Sequence, residues 1–243
     1  MDKVRQVVRQ ELVASQLTAH VPAAPARILD VGCGQGSQTI RLARSGHQVT
    51  GLDASERMLD ACRSALAGED EATRQRVRLV TGDGHAAVET FGADAFDVVL
   101  CHGVLMYLPD PTPLLRALIG TVTPGGMLSV LARNGDALAL RPALLGNWTQ
   151  AKDALTAPAT YVNRLGIEAR ADRFDDMVAN LQSVGVDVEQ WYGVRALTDA
   201  LPDGAPPADM ELILTCEELA GRTDPYRRIA ALLHFIGRVG SAR

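Results

Sequence analysis

The run Asp30-Val31-Gly32-Cys33-Gly34-Gln35-Gly36, with Gly51-Leu52-Asp53 after it, carries the residue types and spacing best suited to holding a ligand. Glycine lets a backbone turn sharply and approach a bound group where any Cβ would collide. The apolar Ile28-Leu29 just ahead reads as a buried strand, and Asp53 ends a second one. A carboxylate at that end can accept hydrogen bonds from both hydroxyls of a ribose. Strand, glycine turn, helix, second strand and terminal acid is the order by which a doubly wound α/β domain holds an adenosine-containing cofactor at the carboxyl edge of its sheet.

The glycine spacing separates two classes of cofactor. A dinucleotide site carries G-x-G-x-x-G and leaves a helix N-terminus open to a pyrophosphate. Here the spacing is G-x-G-x-G, Ser37 takes the sixth position, and Asp30 puts a negative charge where a pyrophosphate would be repelled and an ammonium group attracted. The D-x-G-x-G-x-G arrangement resembles motif I of class I S-adenosylmethionine-dependent methyltransferases, whose cofactor bears a sulfonium and an α-ammonium group. A structural glycine turn and a nicotinamide oxidoreductase are the alternatives; Asp30 and the spacing speak against the second.

The resemblance extends along the chain. Asp97-Val98-Val99-Leu100-Cys101-His102-Gly103-Val104-Leu105-Met106-Tyr107-Leu108-Pro109-Asp110-Pro111 is similar to the motif IV region of small methyltransferases, and Thr123-Pro124-Gly125-Gly126 to their motif V turn. Val4-Arg5-Gln6, Gly146-Asn147-Trp148, Gly193-Val194-Arg195 and Asp224-Pro225-Tyr226 have counterparts in the CmoM-type family, which methylates the carboxylate of 5-carboxymethoxyuridine at the tRNA wobble position. That family's tyrosine–asparagine pair after strand five is Arg133-Asn134 here.

The resemblance implies S-adenosyl-L-methionine as cofactor and assigns roles by position. Asp30, Gly32, Gly34 and Gly36 form the cofactor loop, and Asp53 binds the ribose. Asp83 meets the adenine amino group, with the backbone of Gly84 or His85 as a further partner; a turn-forming aspartate is the alternative reading. Arg5 pairs with the methionine carboxylate. It stands in line with Val8 and Leu12, so its charge is expected to face inward, where an arginine needs an anion. His102 contacts the cofactor or acts as a general base. Arg133, Trp148, Tyr161 and Arg195 are the candidates for the acceptor pocket, since an aromatic ring can stack on a ligand and an arginine can hold a carboxylate.

The elements that must position these residues follow from periodicity. Val4, Val7, Val8, Leu12, Val13 and Leu17 have helical spacing. Strands are expected at 27–31, 47–52, 77–80, 96–101 and 127–131, with helices at 36–45, from an N-cap at Ser55 through Leu66, and at 111–119. Serial βα repeats imply a doubly wound, seven-stranded and mostly parallel sheet with right-handed crossovers. The tail offers a helix at 172–184, a strand at 186–196, a helix at 210–220 and a strand at 232–238; the resemblance to methyltransferases implies that the two strands form an antiparallel edge pair. One domain is expected over 1–243: a cofactor-capping helix (1–25), a binding core (26–133), a long irregular insertion serving as lid or substrate wall (134–171) and the tail (172–243).

Bulk properties narrow the function. A hydrophobic fraction of 47% and a charged fraction of 22% suit a globule. No apolar run could cross a bilayer, and Arg5, Gln6, Arg9 and Glu11 interrupt any signal-peptide core, so a cytoplasmic protein is expected. Cys33, Cys62, Cys101 and Cys216 lack C-x-x-C spacing and read as small core thiols; the five histidines lack ligand spacing, and no metal is expected. The net charge of −5 argues against broad attraction to nucleic acid, although residues 221–243 hold Arg222, Arg227, Arg228, Arg238 and Arg243 against Asp224 alone. These features point to a small-molecule acceptor, with tRNA as the alternative, and a non-catalytic cofactor- or partner-binding protein as the alternative of another class.

Overall fold

The computed structural model describes residues 4–23, 25–157, 159–162, 166–202, 204 and 207–240. The first half alternates as the periodicity predicts. Helix α1 (Val4–Thr18) precedes β1 (Arg27–Val31), α2 (Ser37–Arg44), β2 (Gln48–Asp53), α3 (Glu56–Leu66), α4 (Glu71–Gln75) and β3 (Val77–Thr81). Then come α5 (Ala87–Phe91), β4 (Phe96–His102), α6 (Thr112–Thr121) and β5 (Val122–Arg133). The second half holds α7 (Leu140–Leu144), α8 (Trp148–Thr156), β6 (Thr160–Val162), β7 (Glu168–Arg170), α9 (Phe174–Ser183), β8 (Val186–Val194), α10 (Met210–Arg222) and β9 (Leu232–Val239).

Seven strands form one sheet in the order β3-β2-β1-β4-β5-β9-β8. The first five run parallel, and β9 lies antiparallel between β5 and β8. The expected doubly wound sheet with an antiparallel edge pair is therefore the observed one. Its cause is visible in the alternation of strand side chains between two faces. Ile28, Val98, Leu100, Met127 and Ile236 pack on one face with Val8 and Leu12 of α1 and Leu42 of α2. Leu29, Val99, Leu128, Val130 and Phe235 pack on the other with Leu114, Leu115 and Leu118 of α6 and Met177 and Leu181 of α9. Strands covered on both faces read as continuous apolar runs, which is why β1 and β4 carry so few polar residues.

Three local expectations need correcting. Ser55 stands at the N-cap of α3, but its hydroxyl makes no capping bond; Asp53 accepts its backbone N–H instead. Strand β5 begins at Val122 and runs through the turn residues 123–126, with a register shift opposite Phe96 and Val98. The segment 134–170 is not irregular. It contains α7, α8 and the two-stranded β6–β7 ribbon. Asn147 starts α8, its side-chain oxygen accepting the Gln150 N–H at 3.2 Å. Periodicity does not reveal these elements, because α7 spans five residues and α8 buries only Ala151, so neither shows a long apolar stripe. Helices α4 and α5, five residues each, were missed for the same reason. Among the described residues no helix is long and apolar enough to cross a membrane.

Candidate functional site

The strand order reverses direction at β1, between β2 and β4, and the loops leaving these strands meet at the carboxyl edge. Ligands of open α/β sheets bind in that crevice. The loop after β1 bends through Gly32, Gly34 and Gly36, all at positive φ (67°, 56° and 80°). At Gly32 a Cβ would strike Val104 Cγ2 at 2.3 Å, and at Gly36 it would strike Cys62 Sγ at 2.3 Å. At Gly34 nothing lies within 4 Å, so the middle of the turn faces open space. Asp53 ties this loop to the next: Oδ2 accepts the Gly34 N–H and Oδ1 the Ser55 N–H, each at 2.8 Å. Each oxygen retains a further acceptor position.

Asp30 lies beneath the loop and is buried; its Oδ2 accepts the Thr39 hydroxyl at 2.6 Å, locking β1 to α2. Burial raises its pKa to about 6, the Thr39 bonds oppose the shift, and the charge of Asp53 adds to it. Asp83 opens the turn after β3, accepting the His85 backbone N–H and approaching its Nδ1, both at 2.9 Å. These bonds hold its carboxyl below the usual range. The missing side chain of Gly84 faces the core, where a Cβ would meet Leu114 at 2.9 Å and Val31 at 3.0 Å, so packing by itself requires this glycine.

Beside the loop opens a cavity of about 970 Å³ between α1, the ends of β4 and β5, and the 138–168 segment. Five arginines line it (Arg5, Arg9, Arg133, Arg141 and Arg195) against the carboxylates of Asp153, Glu168 and Asp199. Asp199 is their hub. Arg195 reaches its Oδ1 at 3.1 Å and Arg133 its Oδ2 at 3.6 Å, while Arg5 and Arg141 donate to its main-chain oxygen. The side chains of Arg133 and Arg195 are each 12% exposed. Burial pulls the Arg195 pKa down to about 10; Asp199 resists, and Arg133, Arg9 and Arg5 reinforce the fall. Among the described residues the Nε atoms of Arg133 and Arg195 are buried and have no acceptor. Arg195 also holds φ at 60°, a left-handed conformation that costs an arginine roughly 1–2 kcal/mol.

Tyr161 joins this wall. Its hydroxyl donates to Met106 Sδ at 3.0 Å, and the Arg133 guanidinium stands 5.6 Å from its ring centre. His102, at the end of β4, also lines the cavity, with Nε2 2.8 Å from Ser129 Oγ. Burial drives its pKa down to about 3, with Arg9 adding to the effect, so the ring is neutral near neutral pH.

The structure brings Arg5, His102, Arg133, Tyr161 and Arg195 together but leaves Trp148 outside. Trp148 opens α8 with 71% of its surface exposed and lines no part of the cavity, because α8 turns only Ala151 into the protein. The C-terminal arginines do not assemble a free basic face. Arg227 pairs with Asp224 and stacks 4.0 Å over Trp191, Arg228 lies over Phe174, Arg222 over Tyr192, and Arg238 pairs with Glu189. Arg243 lies outside the described residues. Cys33, Cys62 and Cys101 are buried free thiols, each with its pKa pushed up by burial, whereas Cys216 is exposed on α10, so the core-thiol expectation fails for it. Among the described residues no group of three or more metal-ligating side chains occurs.

Sequence reasoning missed Arg9, Arg141, Asp199 and Glu217. Arg9 was within reach, being one helical turn from Arg5 on the same face of α1. Asp199 stands four residues after Arg195 but outside any helix whose spacing would announce the pair, and Arg141 and Glu217 come from distant segments. Glu217 of α10 is fully buried and accepts the N–H groups of Ala196, Leu197 and Thr198 and the Thr198 hydroxyl, fixing the loop that carries Arg195 and Asp199.

Known proteins agree with this architecture. Residues 29–130 match the family model described as a methyltransferase domain. The chain is 27% identical over 214 residues to the tRNA 5-carboxymethoxyuridine methyltransferase of Escherichia coli strain K12, covering 87% of this chain and 79% of that one. It is 34% identical over 130 residues to a ubiquinone biosynthesis O-methyltransferase of Xanthomonas oryzae pv. oryzae, covering 54% of this chain and 52% of that one. A solved S-adenosylmethionine-dependent methyltransferase from Methanosarcina mazei superposes with a TM-score of 0.65 at 16% identity, over 93% of this chain and 97% of the other.

Proposed function

We propose, for a chain that is a class I S-adenosylmethionine-dependent methyltransferase, that the acceptor is a small organic anion held in the arginine-lined cavity. The observation that carries this reading is the pair Arg133 and Arg195, nearly buried and sharing the Asp199 carboxylate as counter-ion on the cavity wall. A volume of about 970 Å³ suits a small molecule. A buried guanidinium binds best to a planar anion that can meet two of its N–H groups.

The residues present fit the cofactor. The open face of Gly34 and the spare acceptor positions of Asp53 suit a ribose, and Asp83 stands at the end of the neighbouring strand. Arg5 would take the methionine carboxylate, and His102 would accept a hydrogen bond from the amino-acid end. Bound S-adenosylmethionine supplies a methyl group on positively charged sulfur, already activated toward a nucleophile. The work left to the protein is orientation and exclusion of water. Arg133 and Arg195 would hold the acceptor's anionic group, Tyr161 would pack against it, and α7, α8 and the β6–β7 ribbon would wall the cavity. An anionic oxygen as nucleophile needs no base. The neutral, weakly basic His102 accords with that, and supports a cofactor contact over a general base.

The second reading, a tRNA wobble-uridine carboxylate, is favoured by the similarity that spans 87% of the chain. Against it stand the net charge of −5 and the intramolecular partners of Arg222, Arg227, Arg228 and Arg238. The test is transfer of labelled methyl from S-adenosylmethionine to total tRNA and to a small-molecule extract. Label in an acidic small molecule is expected; label in the wobble uridine would overturn the first reading.

A further inference from the structure

A line of polar side chains crosses the otherwise apolar interior on the α1 side of the sheet. Gln16 of α1, His234 of β9 and Ser129 of β5 are all buried. His234 Nδ1 lies 2.7 Å from Gln16 Oε1, His234 Nε2 lies 2.7 Å from Ser129 Oγ, and Ser129 Oγ lies 2.8 Å from His102 Nε2. The two imidazoles meet edge to face with centres 5.3 Å apart. Such a chain has a direction, because each hydroxyl and each neutral ring has one proton to give.

Gln16 Oε1 can only accept, so His234 carries its proton on Nδ1 and presents a lone pair at Nε2. Ser129 must give its single proton to that lone pair. Its oxygen can then only accept from His102, whose proton therefore sits on Nε2. His102 Nδ1 is left as a lone pair, and among the described residues it is buried without a partner.

We infer that Gln16, His234 and Ser129 act as positioning residues that hold His102 in one tautomer, with Nδ1 unprotonated and offered to an N–H of the cofactor's ammonium group. This rests on the cofactor site proposed above, although the tautomers can be read without any ligand. A lone pair at that point accepts an ammonium N–H and refuses a second acceptor, so the chain sets the polarity of the contact from about three side chains away. The opposite direction would turn a ring N–H toward the same ammonium and repel it.

The experiment is long-range nitrogen–proton correlation NMR on the ¹⁵N-histidine-labelled full chain, its five histidines assigned by single His→Gln substitutions. The expected free protein shows His102 protonated on Nε2 and His234 on Nδ1. Adding S-adenosylhomocysteine should move the His102 Nδ1 resonance as it accepts a hydrogen bond, whereas 5′-methylthioadenosine, which lacks the amino-acid end, should not. Ser129→Ala should give a mixed His102 tautomer and roughly fivefold weaker S-adenosylhomocysteine binding, the net worth of one hydrogen bond, with 5′-methylthioadenosine unaffected. Ser129→Thr, which keeps the hydroxyl, should restore both. A His102 proton on Nδ1 in the free wild type, an unmoved resonance on adding S-adenosylhomocysteine, or an Ala variant identical to wild type would each overturn the inference. The wild-type tautomers and titration decide the matter even if the Ala variant fails to fold. Failure of S-adenosylhomocysteine to bind the wild type would instead count against the cofactor site.

Discussion

Replacing Glu217 by Gln tests whether a buried carboxylate shapes the cavity from outside it. Glu217 Oε1 accepts the Leu197 N–H at 3.1 Å, the Thr198 N–H at 2.8 Å and the Thr198 hydroxyl at 2.6 Å, while Oε2 accepts the Ala196 N–H at 2.8 Å. Gln keeps the length and volume. Its oxygen best serves the three-donor side, so its NH₂ meets the Ala196 N–H and one bond becomes a donor–donor contact. A bond to a charged acceptor is worth roughly 1.5–3 kcal/mol, and the orphaned donor adds about 1 kcal/mol. Relief of the buried charge offsets part of this, leaving a net loss of about 2 kcal/mol. For a chain of this size that lowers the melting temperature by roughly 4–8 °C. The loss is local as well as global, because the loop begins at Arg195, whose left-handed backbone persists only while its surroundings over-determine it. Thermal melts report the first effect, and hydrogen exchange at the amides of 196–198 the second. Faster exchange confined to that loop, with a lower melting temperature, is the expected result. Unchanged exchange there would refute the claim that Glu217 positions Arg195 and Asp199.

Three further outcomes follow from the site. Asp53→Ala should weaken S-adenosylmethionine binding by roughly 1.5–3 kcal/mol in calorimetry, and tighter binding of NAD than of S-adenosylmethionine would sink the cofactor assignment. Arg5→Ala should lower affinity for S-adenosylhomocysteine and spare 5′-methylthioadenosine, which has no carboxylate; equal losses would assign Arg5 to the fold. Asp30, raised to about 6 in the folded protein, binds more protons folded than unfolded, so its stabilising effect is complete below the unfolded value and is lost as pH rises through about 6. In the cofactor-free protein, urea melts of Asp30→Asn against the parent should therefore favour the variant more at neutral pH than in mild acid, and a difference independent of pH would contradict the burial argument.

Local sequence was informative wherever a few neighbouring residues decide the geometry. Gly32, Gly34 and Gly36 announce a left-handed turn because positive φ excludes most side chains, and the apolar runs at Ile28–Val31 and Val98–Cys101 announce strands covered on both faces. Parallel order follows from such repeats with little freedom left, since crossovers have a fixed hand. The tail's two strands were legible from their apolar runs, but their antiparallel pairing came from the family resemblance, because periodicity carries no strand direction.

The site's charge was not legible in the same way. Arg5 and Arg195 were candidates one by one; Asp199 stands only four residues after Arg195, yet nothing in the spacing brings Arg5 or Arg141 to the same acid. Trp148 looked like a pocket residue by type and faces solvent, because the orientation of α8 is decided by what it packs on. The sequence by itself determined the glycine turn, the acid that ties it and the layered sheet, since backbone conformation and strand alternation are properties of consecutive residues. Only the tertiary structure decided that five arginines share one cavity and that Gln16, more than two hundred residues from His234, orients a histidine on a third element. Hydrogen bonds and ion pairs act over a few ångströms whatever the separation along the chain, and that proximity exists only once the sheet has closed its layers.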